Sequence, residues 1–304
     1  MSRRRIAFVL ASLVALAGCS PVSDPAAHRA EVDAWHAKRV ARLTSETGWL
    51  TLVGLYWLKP GENSFGRAPS NALVLEHDAL PDTLGSFHLA EGKVHFTARP
   101  GAEVTTKGET VTSLALEPDS SDAGPTVLAA GTLQFHVIER AGRLGLRVRD
   151  TQHPLRTGFA GVERYPVDPR WVFDAEWVPY DPPRPIKIGT IIGTVEEMPA
   201  WGQFRFRRGL TTYALDAVLE VPGDTELFVM FKDVTSGRGT YGAGRYLYIP
   251  IPADPTKPGR VRVDFNRAYN PPCAFNSFAT CPLPPAQNRL ALQVTAGEKD
   301  YGRH

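Results

Sequence analysis

Short alternating segments broken by turn residues restrict this chain more than any other feature. Its 304 residues include 26 prolines and 27 glycines. From Trp49 onward these fall between short apolar runs. Proline removes a helical N–H, and glycine costs a helix about 1 kcal/mol relative to alanine, so long helices are excluded there. The alternation has a period of two, the period of a strand. Over Arg143 to Arg149, Leu144, Leu146 and Val148 face one way while Arg143, Arg147 and Arg149 face the other. That pattern predicts a half-buried antiparallel strand. It pairs with Thr132 to Glu139 through Ala141-Gly142, and Glu91-Gly92 joins a second hairpin. After Tyr165-Pro166, strands are expected over Trp171 to Val178, Ile186 to Val195, Gln203 to Arg207, Thr211 to Leu219, Leu227 to Phe231, Arg245 to Ile249, Val261 to Phe265 and Leu290 to Val294. A spacing of roughly ten residues between turn signals belongs to sandwiches and barrels. His153-Pro154 and Gly158 to Gly161 interrupt the pattern. The expected body is therefore an N-terminal β-sandwich over 48–155 and a C-terminal β domain over 156–304. The fold class is mainly β, one N-terminal helix followed by two packed antiparallel units.

The helix is placed in 19–47. Asp24-Pro25 reads as an N-cap followed by proline at the first helical position. Val32, Trp35, Val40 and Leu43 share a face, Gly48 ends the segment, and the helix is expected to pack on the body that follows it.

Residues 1–18 carry a different signal. Arg3, Arg4 and Arg5 precede an uncharged apolar stretch, Ile6 to Leu16, which is too short to span a bilayer. Leu16-Ala17-Gly18-Cys19 follows and resembles the lipobox of bacterial lipoproteins. The resemblance implies cleavage before Cys19 and lipidation of that cysteine, which makes a membrane the first expected partner. Ser20 stands where an Asp is associated with inner-membrane retention, which points to the outer membrane and a periplasm-facing domain.

Composition narrows the rest. A net charge of +2 provides no field for a polyanion, so nucleic acid is not expected as a partner. Besides Cys19 there are two cysteines, Cys273 and Cys281, and an oxidising compartment favours a disulfide between them. The eight histidines are scattered. His88, His95 and His136 fall on expected strands, but no His-x-His or His-Glu-x-x-His occurs, so neither metal nor cofactor is expected. No Gly-x-Ser-x-Gly elbow and no phosphate-binding glycine loop is found.

Two family resemblances follow from particular residues. Lys59 to Arg67, containing Gly66-Arg67, with Asn71 to Leu75, resembles the opening of a forkhead-associated domain, which implies a sandwich. That family then carries Ser-x-x-His, where this chain has Ser86-Phe87-His88. A second resemblance joins Gly48 to Leu58 with Phe231 to Gly237, Thr240-Tyr241-Gly242, Gly244-Arg245-Tyr246, Asp264 to Cys273, Cys281 to Pro285, Asn288-Arg289-Leu290 and Gly297-Glu298. These blocks resemble the DUF1684 family of bacterial proteins of unknown function. The resemblance supplies a place to look and no reaction.

That place is 233–298, where polar residues crowd the turns and prolines 271, 272, 282, 284 and 285 stiffen the loop. Three readings are open. In the first the cluster is structural: Asp233, Thr235 and Ser236 form a turn, Asn266 and Asn270 satisfy backbone, and Arg245 pairs with Asp264. In the second it binds a polar small molecule or glycan through Thr235, Ser236, Tyr241, Arg245, Asn266, Tyr269 and Asn270. In the third Asp233 and Asp264, with Glu298 as a further candidate, are the acid and base of a hydrolase acting on an envelope glycan. The expected function is a binding or envelope-structural module, with the hydrolase as the alternative.

Overall fold

The computed structural model describes residues 22–302. The segment read as a signal peptide and Cys19 lie outside them. Among the described residues no helix is long and apolar enough to cross a membrane.

The chain is mainly β with one N-terminal helix. Two sheets build the first unit. One runs in the order Leu52–Trp57, Arg143–Asp150, Leu133–Arg140, Leu128–Ala130, Thr105–Thr106 and Glu109–Thr110. The other runs Leu73–Val74, Gly61–Gly66, Gly85–Ala90, Lys93–Ala98 and Ser113–Leu116. Between them Phe65, Phe87, Phe96 and Phe135 are fully buried. Their rings meet in edge-on or tilted pairs, from Phe87–Phe96 at 5.0 Å to Phe96–Phe135 at 6.5 Å. Such contacts add to the roughly 1.5–3 kcal/mol that burial of each large apolar side chain contributes. Gly66 must be glycine, since a Cβ there would stand 2.4 Å from the Asp82 carbonyl oxygen.

The second unit is a six-stranded antiparallel sheet curved into a half-barrel. Its order is Arg245–Pro250, Glu226–Phe231, Thr211–Val218, Val195–Arg208, Val172–Gly189 and Gly259–Asp264. Strand Glu226–Phe231 is buried on both faces. Leu227, Val229 and Phe231 enter one core with Trp171, Phe204 and Phe265. Phe228 and Met230 enter another with Tyr246, Cys273 and Cys281. The second face is therefore covered, and its cover creates the site described below.

Several expectations need correction. Ile186 to Val195 is not one strand. The chain continues from Val172 to Gly189, turns, and returns as Val195–Arg208. Prolines 179, 182, 183 and 185 are tolerated because this stretch has outrun its second neighbour, whose pairing ends at Trp177↔Gly259. Leu290 to Val294 is not a strand either, and its backbone is held by side chains instead. The Asp233 carboxylate accepts from Val294 N at 2.7 Å, and Arg245 Nη2 donates to Val294 O at 2.9 Å.

The helix, Pro25–Leu43, starts where expected, with Asp24 accepting from Ala26 N and Ala27 N. It packs on the body that follows, Leu43 sharing one cluster with Leu50, Val162, Ala274 and Phe275. Its buried residues are His28, Val32, Arg39 and Leu43, and the polar two bind the C-terminal unit. His28 Nε2 donates to Asp264 Oδ2 at 2.7 Å, and Arg39 Nε to Glu298 Oε1 at 3.2 Å. A hydrophobicity pattern passes over both.

Candidate functional site

The polar residues of 233–298 form three networks, the first and third of which meet at Glu298. Thr235 Oγ1 reaches Asp233 Oδ1 and Oδ2 at 3.0 and 2.8 Å, and Ser236 Oγ donates to Oδ1 at 3.2 Å. Arg245, fully buried, bonds the carbonyls of Val294, Ala296 and Glu298. It pairs with Asp233 at 3.5 Å, so the expected pairing with Asp264 is not formed. Asp264 instead caps the turn Phe265–Arg267 through Asn266 N and holds Asn266 Nδ2 at 2.8 Å. Asn266 Nδ2 also bonds Asp168 O. Glu298 accepts from Asn270 N at 2.7 Å, while Asn270 Nδ2 donates to Lys299 O at 2.7 Å. Neither Asp233 nor Asp264 lines either cavity described below, and they lie in different networks. The acid/base pair expected of them is not brought together in either cavity.

Cys273 and Cys281 are buried free thiols, so the expected disulfide is absent. Cys273 N donates to Cys281 Sγ at 3.1 Å. Hydrogen bonding from Cys281 lowers the pKa of Cys273, while burial raises that of Cys281. Tyr241 reaches the same loop, donating to Cys273 O at 3.0 Å.

The open space lies elsewhere, where the helix, the outer face of the half-barrel and the tip of the Leu133–Asp150 hairpin meet. A cavity of about 590 Å³ opens there, and a second of about 850 Å³ adjoins it, sharing Arg42, Glu220, Tyr248 and Tyr269. The wall is aromatic. Tyr248 and Tyr269 stack with ring centroids 6.1 Å apart, and Tyr246 meets Tyr269 edge-on at 5.8 Å. Phe228 supports both strand tyrosines at 4.7 and 5.1 Å. Arg39 lies 4.5 Å over Tyr269, so the salt bridge that docks the helix also fixes this ring. Two carboxylates line the first cavity, Glu196 and Glu220. Tyr248 Oη donates to Glu220. Glu220 is exposed as a residue, yet desolvation of its carboxyl against that ring raises its pKa above the ordinary value. Burial likewise raises Tyr248 and Tyr269, so all three favour the protonated form.

Of the residues singled out in the sequence as catalytic or binding candidates, only Tyr269 lines this cleft. Tyr246, Tyr248, Phe228, Glu196, Glu220 and Trp49 were missed. One signal was available: in Arg245-Tyr246-Leu247-Tyr248-Ile249 the tyrosines alternate with core residues and must share a face.

Among the described residues no group of three histidine, cysteine or acidic side chains is placed to hold a metal. Residues 157–299 match DUF1684, described as a protein of unknown function. The match leaves out the Gly48 to Leu58 block. No curated protein matches the chain. Among solved structures, an uncharacterized protein of Haloarcula marismortui, determined by solution NMR, is similar at 28% identity with a TM-score of 0.42. The similarity covers 49% of this chain and 81% of that one.

Proposed function

We propose that the DUF1684 region and the helix docked on it form the binding element of a lipid-tethered cell-envelope protein. Its ligand is a polar small molecule or glycan held in the cleft between helix and half-barrel. The observation that carries this reading is the row Tyr246, Tyr248 and Tyr269 on one wall of an open cavity that also holds charged side chains. Aromatic faces stack on the apolar face of a sugar ring, and the few polar groups around them fix its orientation. The tether rests on Arg3 to Arg5, the apolar stretch and Leu16-Ala17-Gly18-Cys19. It implies an outer-membrane, periplasm-facing location, and Cys19→Ala should move the protein out of the membrane fraction.

A second reading has a specific observation behind it. Glu196 and Glu220 line one cavity, and Glu220 is held toward its protonated form. That is the arrangement of a general acid facing a second carboxylate, which makes a glycan hydrolase with this pair, in place of Asp233 and Asp264, the alternative.

One experiment tests both. The purified chain is titrated with soluble cell-wall saccharides, and products are followed by mass spectrometry. Binding that Tyr248→Ala weakens about tenfold or more supports the cleft. Turnover that Glu220→Gln abolishes, with binding retained, selects the hydrolase. Binding unaffected by Tyr248→Ala, or no binding by any fraction, sinks the cleft reading.

A further inference from the structure

The hairpin Leu133–Arg140/Arg143–Asp150 places its cationic residues on the sheet face that the C-terminal unit covers. His136 stands directly opposite Arg147, and Gln134 opposite Arg149. Arg147 is 2% exposed, and among the described residues it has no carboxylate partner. Its Nε is buried and makes no hydrogen bond. Its contacts are the Trp49 ring at 5.4 Å and Thr280 Oγ1 at 3.3 Å from Nη2. Arg149 is committed to the carbonyls of Thr47 and Gly48. The nearest acid, Asp119, is engaged at 2.8 and 3.0 Å by Arg140. Burial, with Arg140 and Arg149 close by, lowers the pKa of Arg147 to about 10. Its guanidinium is still charged at neutral pH. An uncompensated buried cation costs several kcal/mol unless something meets it.

Thr280 shows where that something would come from. Its Oγ1 accepts from Arg147 Nη2 and, at 3.3 Å, from Arg140 Nε. With both lone-pair directions taken by cationic donors, the hydroxyl hydrogen is left to donate, and it has no acceptor among the described residues. Thr280 and Arg140 both line the 590 Å³ cavity. Building on the cleft as the binding site, we propose that the part lined by Thr280 and Arg140 is an oxyanion subsite. Thr280 and Arg140 would contact a compact anionic group (phosphate, sulfate or carboxylate), with Arg147 behind them as its charge complement. The ligand class narrows accordingly to an acidic saccharide, such as a sugar phosphate or a uronic acid. Its ring would lie on the tyrosine wall and its anion between the two β units.

The test uses inorganic phosphate first, because phosphate needs no sugar platform. Calorimetric titration at constant ionic strength, with chloride as the control anion, should give saturable one-site binding to the full chain. Arg147→Met should weaken it about tenfold or more, and Arg140→Met, at a less buried position, serves if Arg147→Met fails to fold. Glucose 6-phosphate should then bind more tightly than glucose, with that preference lost in the same variants. No saturable phosphate binding, or equal binding by wild type and variants, overturns the subsite while leaving the tyrosine cleft standing. Phosphate binding that depends on Arg147, with neither glucose nor glucose 6-phosphate gaining from Tyr248, keeps the subsite and removes the saccharide reading. The second of these outcomes would reduce the ligand to a free oxyanion.

Discussion

Arg245 and Arg147 are both buried guanidiniums on antiparallel sheets, and they stand in opposite situations. Arg245 has Asp233 and three backbone carbonyls around it. It replaces a missing strand ladder for the segment around Val294, and every polar group it meets belongs to the same unit. Arg147 has one hydroxyl, one aromatic ring and two arginine neighbours. The first arrangement is closed in charge, because Asp233 and three carbonyls meet the Nη groups, although the Arg245 Nε, like that of Arg147, makes no hydrogen bond. The second is left electrostatically incomplete at the seam between two units, beside a cavity. A dense cluster of polar residues therefore does not by itself mark a site. A buried charge without its counter-charge does.

The largest expected effect breaks the closed arrangement. Arg245→Met leaves Asp233 as a buried carboxylate and frees three carbonyls, and it should destabilise the protein by about 3–5 kcal/mol in urea unfolding. A loss below about 1 kcal/mol would mean that Asp233 is met by water and that the network does not hold the C-terminal segment.

Acid comes next. Burial, then Arg149 and Arg147, lowers the pKa of His136 to about 4. The folded state therefore resists protonation while the unfolded chain takes up a proton near pH 6.5. The contribution is fully present above pH 6.5 and is lost as pH falls from there toward 4. It amounts to roughly 3 kcal/mol over that window. Stability measured at several pH values should show this slope in the wild type, and His136→Gln should remove that part of it.

The smallest effect is the most informative, because its sign differs from the first. Arg147→Met removes an unpaired cation from a buried seam, and stability should be unchanged or should rise by up to about 2 kcal/mol in phosphate-free buffer. A loss comparable to that of Arg245→Met would show that the two arginines are equivalent, and the contrast would collapse.

Much of the fold was legible because strands announce themselves by alternation. The hairpin at Ala141-Gly142 and the Asp24 cap each follow from a few adjacent residues. The same alternation misled at Arg147 and Arg149, which it made look solvent-exposed, when a distant loop carrying Thr280 and the Trp49 ring cover them. Leu290 to Val294 was misread because Leu290, Leu292 and Val294 alternate as in a strand, while the backbone at Val294 is held by the Asp233 and Arg245 side chains instead of a neighbouring strand. Little of the cleft was legible. Its walls come from residues near 40, 196, 220, 248 and 269, brought together by strand pairing and the docking of the helix.

By itself the sequence determined the β class and the helix start, because each is written in contiguous residues. Tertiary structure decided which unit the helix joins, which carboxylates face a cavity, and which arginine is left without a counter-charge. Those are properties of burial, and burial depends on what the rest of the chain places on top.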